Sequence, residues 1–198
     1  MSEFLNAIKR RRSVYALNQE IPVSEDRIEE IVKEAVLHTP SSFNSQSARA
    51  VVLFGEQHHK LWDLTKETLR KVVPADSFAP TEEKMASFRS ARGTVLFFED
   101  QTVIKGLQDQ FAAYAENFPI WSQQSNGMLQ FVVWTALAQE GVGASLQHYN
   151  PLIDEEVSKE WNVPASWKLI AQMPFGGIAA APGDKDFAPL DTRLKVFK

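Results

Sequence analysis

Hydrophobic positions along the chain fall into helical and strand-like periods separated by polar or proline-rich breaks. Ser2 precedes Phe4, Leu5 and Ile8, a one-face spacing that predicts a serine-capped helix running into a basic cluster. Residues 14–18 read as irregular chain. Ser24, followed by acidic residues, predicts the start of a second helix whose apolar face is Ile28, Ile31, Val32, Ala35 and Val36, ending near His38. A polar loop over 40–47 leads to a strand at 50–54 and a long helix over 57–72 carrying Leu61, Trp62, Thr65 and Leu69. Pro74 to Pro80 breaks the pattern, Thr81 caps a helix through Phe88, and 94–98 reads as a fully buried strand.

An amphipathic helix over 102–117 follows, with Ile104, Leu107, Phe111 and Tyr114, and Pro119-Ile120-Trp121 interrupts it. The most apolar helix is predicted at 124–140. There Met128, Leu129, Val132, Val133, Ala136 and Leu137 occupy much of the circumference, so it needs cover from a sheet on one side and from a helix or second subunit on the other. Residues 141–147 turn into a short strand, Asp154 starts a helix through Trp161, and 169–175 is a strand broken by Pro174 and followed by Gly176-Gly177. The tail from Pro182 shows no helical period, and its apolar, basic ending suits packing across a partner. Three or four strands among six or seven helices predict an α+β fold around one central sheet, in a single domain over 1–198.

Composition narrows the chemistry. The chain carries 21 Lys+Arg against 25 Asp+Glu, so the run Lys9-Arg10-Arg11-Arg12 beside Ser13, echoed by Arg193 and Lys195, is a local positive spot on an acidic background. Read alone, it suits either a solvated helix terminus complementing the macrodipole or a site for a phosphate-sized anion held by guanidinium forks. One short basic run in a net negative chain argues against nucleic-acid binding. Cysteine is absent, which removes disulfide and thiolate chemistry and suits a cytoplasmic protein. The N-terminus lacks a secretory pattern and no stretch approaches a membrane span, so no membrane association is expected. Five Trp and thirteen Phe suit core packing, a flat aromatic ligand or a subunit interface.

The usual catalytic constellations are missing. His38, His58, His59 and His148 form no His-x-x-x-His pair and read as solvated or core-edge residues, so no metal site is expected. Met128 reads as packing. Neither a nucleophile elbow nor a phosphate loop is present, and no carboxylate pair stands out. Gly141 and Gly143 permit close backbone approach to something flat, but they follow a helix instead of opening one, unlike the dinucleotide fingerprint. In the loop Pro40-Ser41-Ser42-Phe43-Asn44-Ser45-Gln46-Ser47, Asn44 and Gln46 serve either a plain connector or the polar edge of a heterocycle. What remains is a ligand-holding protein whose chemistry belongs to its cofactor.

Taken in order, four segments resemble the FMN-dependent nitroreductase family. They are Ile8-Lys9-Arg10-Arg11-Arg12-Ser13-Val14, Pro40 to Gln46, Glu140-Gly141-Val142-Gly143, and Arg193 with Lys195. Ala144 to Pro151 and the Arg193-Leu194-Lys195-Val196-Phe197 ending are similar to the branch named for a fatty-acid-repression mutant of yeast. The resemblance implies a mostly antiparallel central sheet flanked by helices. It also implies a homodimer with an extended C-terminal tail crossing the partner, and two FMN at the interface, each held by both chains. By the same resemblance, Arg11, Arg12 and Ser13 serve the FMN phosphate or ribityl chain, and Arg193 and Lys195 reach the same phosphate. Asn44 contacts the ring edge with Gln46 beside it, and Leu146, Gln147 and His148 run past the ring.

Two departures are visible. Tyr15 stands where many members carry Lys or Arg near the ring, and Ser47-Ala48 replaces Pro-Trp. The implied activity is electron transfer from NAD(P)H to nitroaromatic or quinone-type acceptors in two half-reactions, with hydride exchange at the flavin and no side-chain acid or base. Phe43, Phe118, Trp121 and Tyr149 are either slot-lining or simply packed. The alternatives are a non-redox FMN-binding or regulatory protein and a flavin enzyme with another substrate class.

Overall fold

A computed structural model describes residues 2–198. Its elements are α1 (Glu3–Arg10), β1 (Leu17–Asn18), α2 (Glu25–His38), β2 (Ala48–Phe54), α3 (Gly55–Arg70), α4 (Ala79–Arg89), β3 (Gly93–Asp100), α5 (Gln101–Gln110), α6 (Phe118–Gln139), β4 (Gly143–Ala144), α7 (Asp154–Glu160) and β5 (Trp167–Ile178). The strands form one antiparallel sheet in the order β1-β5-β3-β2, with β4 also on β5, which makes the α+β architecture the observed one.

The side-chain patterns that predict the elements also explain how they pack. Ser2 and Ser24 cap α1 and α2 by accepting the amides of Leu5 and Arg27 at 3.3 and 3.2 Å. β3 reads as a continuous apolar run because both its faces are covered. Val95 and Phe97 meet α2 and α6 through Ile28, Ile31, Val32, Leu129, Val133 and Leu137. Leu96 and Phe98 meet α3, α4 and α7 through Leu61, Trp62, Met85, Phe88 and Val157. On β5 the register slips between the partners of Phe97 and Phe98, so that Ala171 and Leu169 pair with them and Ile170 is the extra residue. This bulge re-phases the strand. Without it, Leu169 would share a face with Ala171, Met173 and Phe175, whereas each now enters the correct core.

Several boundaries differ from the sequence expectation. Pro119 does not interrupt a helix but sits in the first turn of α6, where its missing N–H costs nothing, and Pro80 does the same in α4 in place of a Thr81 cap. Asp100 caps α5, which ends at Gln110 and gives way to a short 3-10 turn over Ala112–Tyr114. Leu17 and Asn18, read as irregular, pair with Ile178 and Gly177. That approach needs glycine, because a Cβ at Gly177 would run into the Glu20 carbonyl and the Asn18 side chain. Pro174 lies inside β5, yet its carbonyl accepts the Ser145 amide on the side where β4 has already ended, so the strand tolerates it. Gly141 (φ +76°) stops α6. Its amide and that of Val142 return to the carbonyls of Ala138 and Leu137 at 3.2 and 3.0 Å, the Schellman pattern.

Among the described residues, no helix is long and apolar enough to cross a membrane. Two surfaces are left unfilled. The outer edge of β2 is unpaired, and beside it a groove of about 820 Å³ runs between α2 and the sheet, lined by Val32, Val36, Leu37, Ala50, Val52 and Phe54. The tail beyond β5 exposes Phe187, Leu190, Leu194, Val196 and Phe197.

Candidate functional site

The basic segment leaves α1 in extended conformation and is stitched to β4, just beyond α6. Ser13 bridges Ala144, and the Ala144 carbonyl accepts both the Val14 amide at 2.9 Å and the Trp134 indole N–H at 3.1 Å. The indole so fixed lies under the Arg11 guanidinium, 4.2 Å from ring centroid to Cζ. Arg11 is half-buried, and its enclosed Nε has no hydrogen-bond partner among the described residues. Burial, and then the charge of Arg12, pull its pKa below the ordinary arginine value. Such a cation, held in place on an aromatic face, suits an anion at its open side.

A cavity of about 520 Å³ opens over it, lined by Arg11, Arg12, Ser13, Tyr15 and the stretch 180–185, including Lys185. Arg12 already donates to the Gly183 carbonyl at 2.6 Å, which ties the tail to this wall. With Arg11, Arg12 and Lys185 set against Asp184, the cavity's lining is positive on balance and fits a phosphomonoester. Arg193 and Lys195 are exposed and do not line it within the chain. Lys185 and Trp134 were not among the residues the sequence singled out. Trp134 is hidden there as one more aromatic of an apolar helix, and only the tertiary contact gives it a role.

Through the Ser13–Ala144 bridge, this wall adjoins the segment expected to pass the ring. Gln147 is buried and exchanges both backbone hydrogen bonds with Gln172 at 2.7 and 2.9 Å, Leu146 packs on the core, and His148 is exposed.

The loop with Asn44 and Gln46 lies elsewhere. Phe43, Asn44 and Gln46 have φ of 57, 51 and 49°, three non-glycine residues in the left-handed region within four positions. Such conformations are held only where surroundings over-determine them, and they concentrate at ligand clamps. Ser41 Oγ accepts the Gln46 amide at 2.9 Å, and Arg49 donates to the Gln46 carbonyl at 2.6 Å. Phe43, exposed at the lip, is ringed by Phe111, Tyr114, Phe118 and Trp121 at centroid distances of 4.9, 6.0, 5.3 and 6.1 Å. Tyr149 instead packs edge-on against Trp62 and Phe88 in the core, where burial pushes its hydroxyl up to about 12. Gln46 borders the 820 Å³ groove, and neither cavity draws lining residues from both the Arg11 segment and this loop.

One expectation about a titratable group is corrected. His58 is neither solvated nor at the core edge but fully buried, because Thr94 and the Arg89 carbonyl satisfy both ring nitrogens. Glu99, which the sequence did not single out, is fully buried too, between Ser47 and Asn126.

Comparison with known proteins places this geometry. Residues 8–177 match the Nitroreductase family. Nitroreductase FRM2 of Saccharomyces cerevisiae is 36% identical over 187 residues, 93% of this chain and 92% of that protein, which supports the fatty-acid-repression branch. Nitroreductase CinD from Lactococcus lactis, solved in complex with chloramphenicol, superposes with a TM-score of 0.91 at 47% identity, covering 99% of this chain and 100% of that one; CinD is also solved with 4-nitrophenol. A more distant structure from Desulfovibrio desulfuricans, in complex with FMN, shares the fold at 21% identity and a TM-score of 0.72 over 100% of this chain and 99% of that one. With the ordered motifs, the antiparallel sheet and the cationic cavity in agreement, this chain belongs to the nitroreductase family.

Proposed function

We propose that the protein is an FMN-dependent oxidoreductase that takes electrons from NAD(P)H and delivers them to planar nitroaromatic or quinone-type acceptors in two half-reactions. The observation that carries the reading is the half-buried Arg11, held on Trp134 in the wall of a cavity sized for a phosphate and its linker. Arg11 and Arg12 hold the phosphate, Ser13 and Tyr15 flank it, and Leu146, Gln147 and His148 form the backbone wall along the ring. When bound, FMN supplies the hydride acceptor and donor. The protein's part is orientation, a positive field and a slot that admits one planar partner at a time.

Asn44 and Gln46 join the same site when two copies meet, a reading supported by the separate linings of the two cavities, one bordered by Gln46 and the other by Arg11 and Arg12. The active unit is therefore a homodimer in which each FMN is held by both chains, each copy acting as a single domain. The groove beside the free edge of β2 and the exposed apolar tail are complementary unfilled surfaces, which favours a tail crossing to the partner with Arg193 and Lys195 delivered to its phosphate. The aromatic ring set around Phe43, next to Asn44, suits a planar acceptor. The protein is assigned to the cytoplasm.

Anaerobic stopped-flow absorbance tests the reading. Mixing FMN-loaded protein with NADH or NADPH should bleach the flavin band, and a nitroaromatic should restore it. Tight FMN binding with no bleaching by either nicotinamide would leave a flavin-binding, non-redox protein.

A further inference from the structure

Among the described residues, Glu99 is the sole carboxylate buried completely, and the hydride chemistry makes no use of it. It stands near the end of β3 beneath the left-handed loop. Ser47 Oγ donates to its Oε2 at 2.6 Å, and Asn126 Nδ2 donates to its Oε1 at 2.8 Å. The orientation of Asn126 is set from behind, because its Oδ1 accepts from Gln130 at 2.6 Å and its Nδ2 also reaches the Phe98 carbonyl at 3.1 Å. Two aimed donors therefore meet two carboxylate oxygens, the arrangement an ionised acid requires. Ser47 is tied to the strand a second time, its carbonyl accepting the Asp100 amide at 2.9 Å. Directly before it in the chain lies Gln46, and three residues before it Asn44, both in strained conformations.

We propose that Glu99 is the positioning residue for the cofactor-edge loop: its carboxylate, through Ser47, holds Asn44 and Gln46 in their binding conformation, and a proton on Oε2 loosens that hold and weakens FMN binding. The inference rests on the FMN reading above. With Oε2 protonated, two donors face each other, and the Ser47 hydroxyl hydrogen must turn away toward Ser45 Oγ, 3.4 Å off. A charge-assisted bond is then replaced by a neutral one of about half its strength.

The surroundings act on this titration in both directions. Burial pushes the Glu99 pKa up from the ordinary carboxylate value, opposed by the bonds from Ser47 and Asn126 and by the charge of Arg49 on β2, while Asp100 beside it raises it further. Lys168 is its register partner on β5, and α6 contributes only amides, having no charged residue along its length.

The test is FMN affinity, read by quenching of flavin fluorescence from pH 5 to 8.5, for the wild type, E99Q and S47A. FMN phosphate itself titrates with a pKa of about 6, so the diagnostic quantity is the ratio of variant to wild-type Kd at each pH. For E99Q the ratio should be about tenfold at the alkaline end and fall as acid protonates Glu99 in the wild type. S47A keeps the acid and its Asn126 contact, and should bind FMN more weakly at pH 8.5 even if E99Q does not fold. An infrared carbonyl band of a protonated carboxyl, present at low pH and missing in E99Q, should follow the same pH course. A ratio that is flat with pH, or S47A binding FMN as the wild type does, overturns the inference and leaves the flavin reading intact. A wild type that binds no FMN overturns both.

Discussion

Acid should destabilise this fold through one histidine in a predictable window. His58 on α3 lies between Thr94 of β3 and the end of α4, with ring nitrogens 2.9 Å from Thr94 Oγ1 and 3.2 Å from the Arg89 carbonyl. A carbonyl only accepts, so Nε2 carries the hydrogen and Nδ1 accepts from the Thr94 hydroxyl, which in turn accepts the Trp62 indole N–H at 3.0 Å. The neutral ring completes this chain. A second proton would force the Thr94 hydroxyl hydrogen to turn away and would place a charge in the core, and burial lowers the His58 pKa to about 4 from 6.5. The unfolded chain therefore binds the proton first as pH falls, so the contribution is complete above pH 6.5 and is lost progressively down to about 4. Holding the ring neutral across that interval corresponds to about 3 kcal/mol. Glu99 and Asp154, whose pKa values burial raises, act with the opposite sign, so the comparison must be with H58Q. Urea unfolding by circular dichroism at pH 7.5 and 4.5, at fixed protein and FMN concentration, should show the wild type losing about 2.5 kcal/mol more than H58Q between the two values. A His58 resonance titrating near 6.5 by NMR, or parallel losses in the two proteins, would refute the argument.

W134L removes the shelf under Arg11 and one of the two donors to the Ala144 carbonyl, so FMN should bind about 3- to 30-fold more weakly in a fluorescence titration. Unchanged affinity would mean that Arg11 is positioned by its backbone alone. Deleting residues 186–198 removes Phe187, Leu190, Leu194, Val196 and Phe197 together with Arg193 and Lys195. Sedimentation velocity should then show a shift toward monomer, with FMN affinity down more than tenfold. A stable dimer with full affinity would refute the crossing tail.

Most of the fold was legible wherever a residue's role is local. Ser2 and Ser24 cap because the amides they accept lie three residues on, and the β3 run reads as buried because every position along it faces a core. Pro119 misled for the same reason: a proline ends one helix or begins another depending on which side the packing lies, and α6 places it at a start. Two-residue β1 had no period to read, since its pairing exists only because Gly177 lets Asn18 approach.

The site divides along the same line. Arg11, Ser13, Asn44 and Gln46, the residues the proposed FMN site draws on, lie in short motifs that can be read from the sequence without the fold. The groups that hold those residues in place do not. Trp134 supports Arg11 from 123 positions away, and Glu99 holds Ser47 from 52 positions away, so nothing in the local sequence distinguishes either from core or surface. Support for a binding residue is needed wherever its conformation is unfavourable. The left-handed Asn44 and Gln46 and the crowded Arg11 are therefore the places where distant residues had to be recruited.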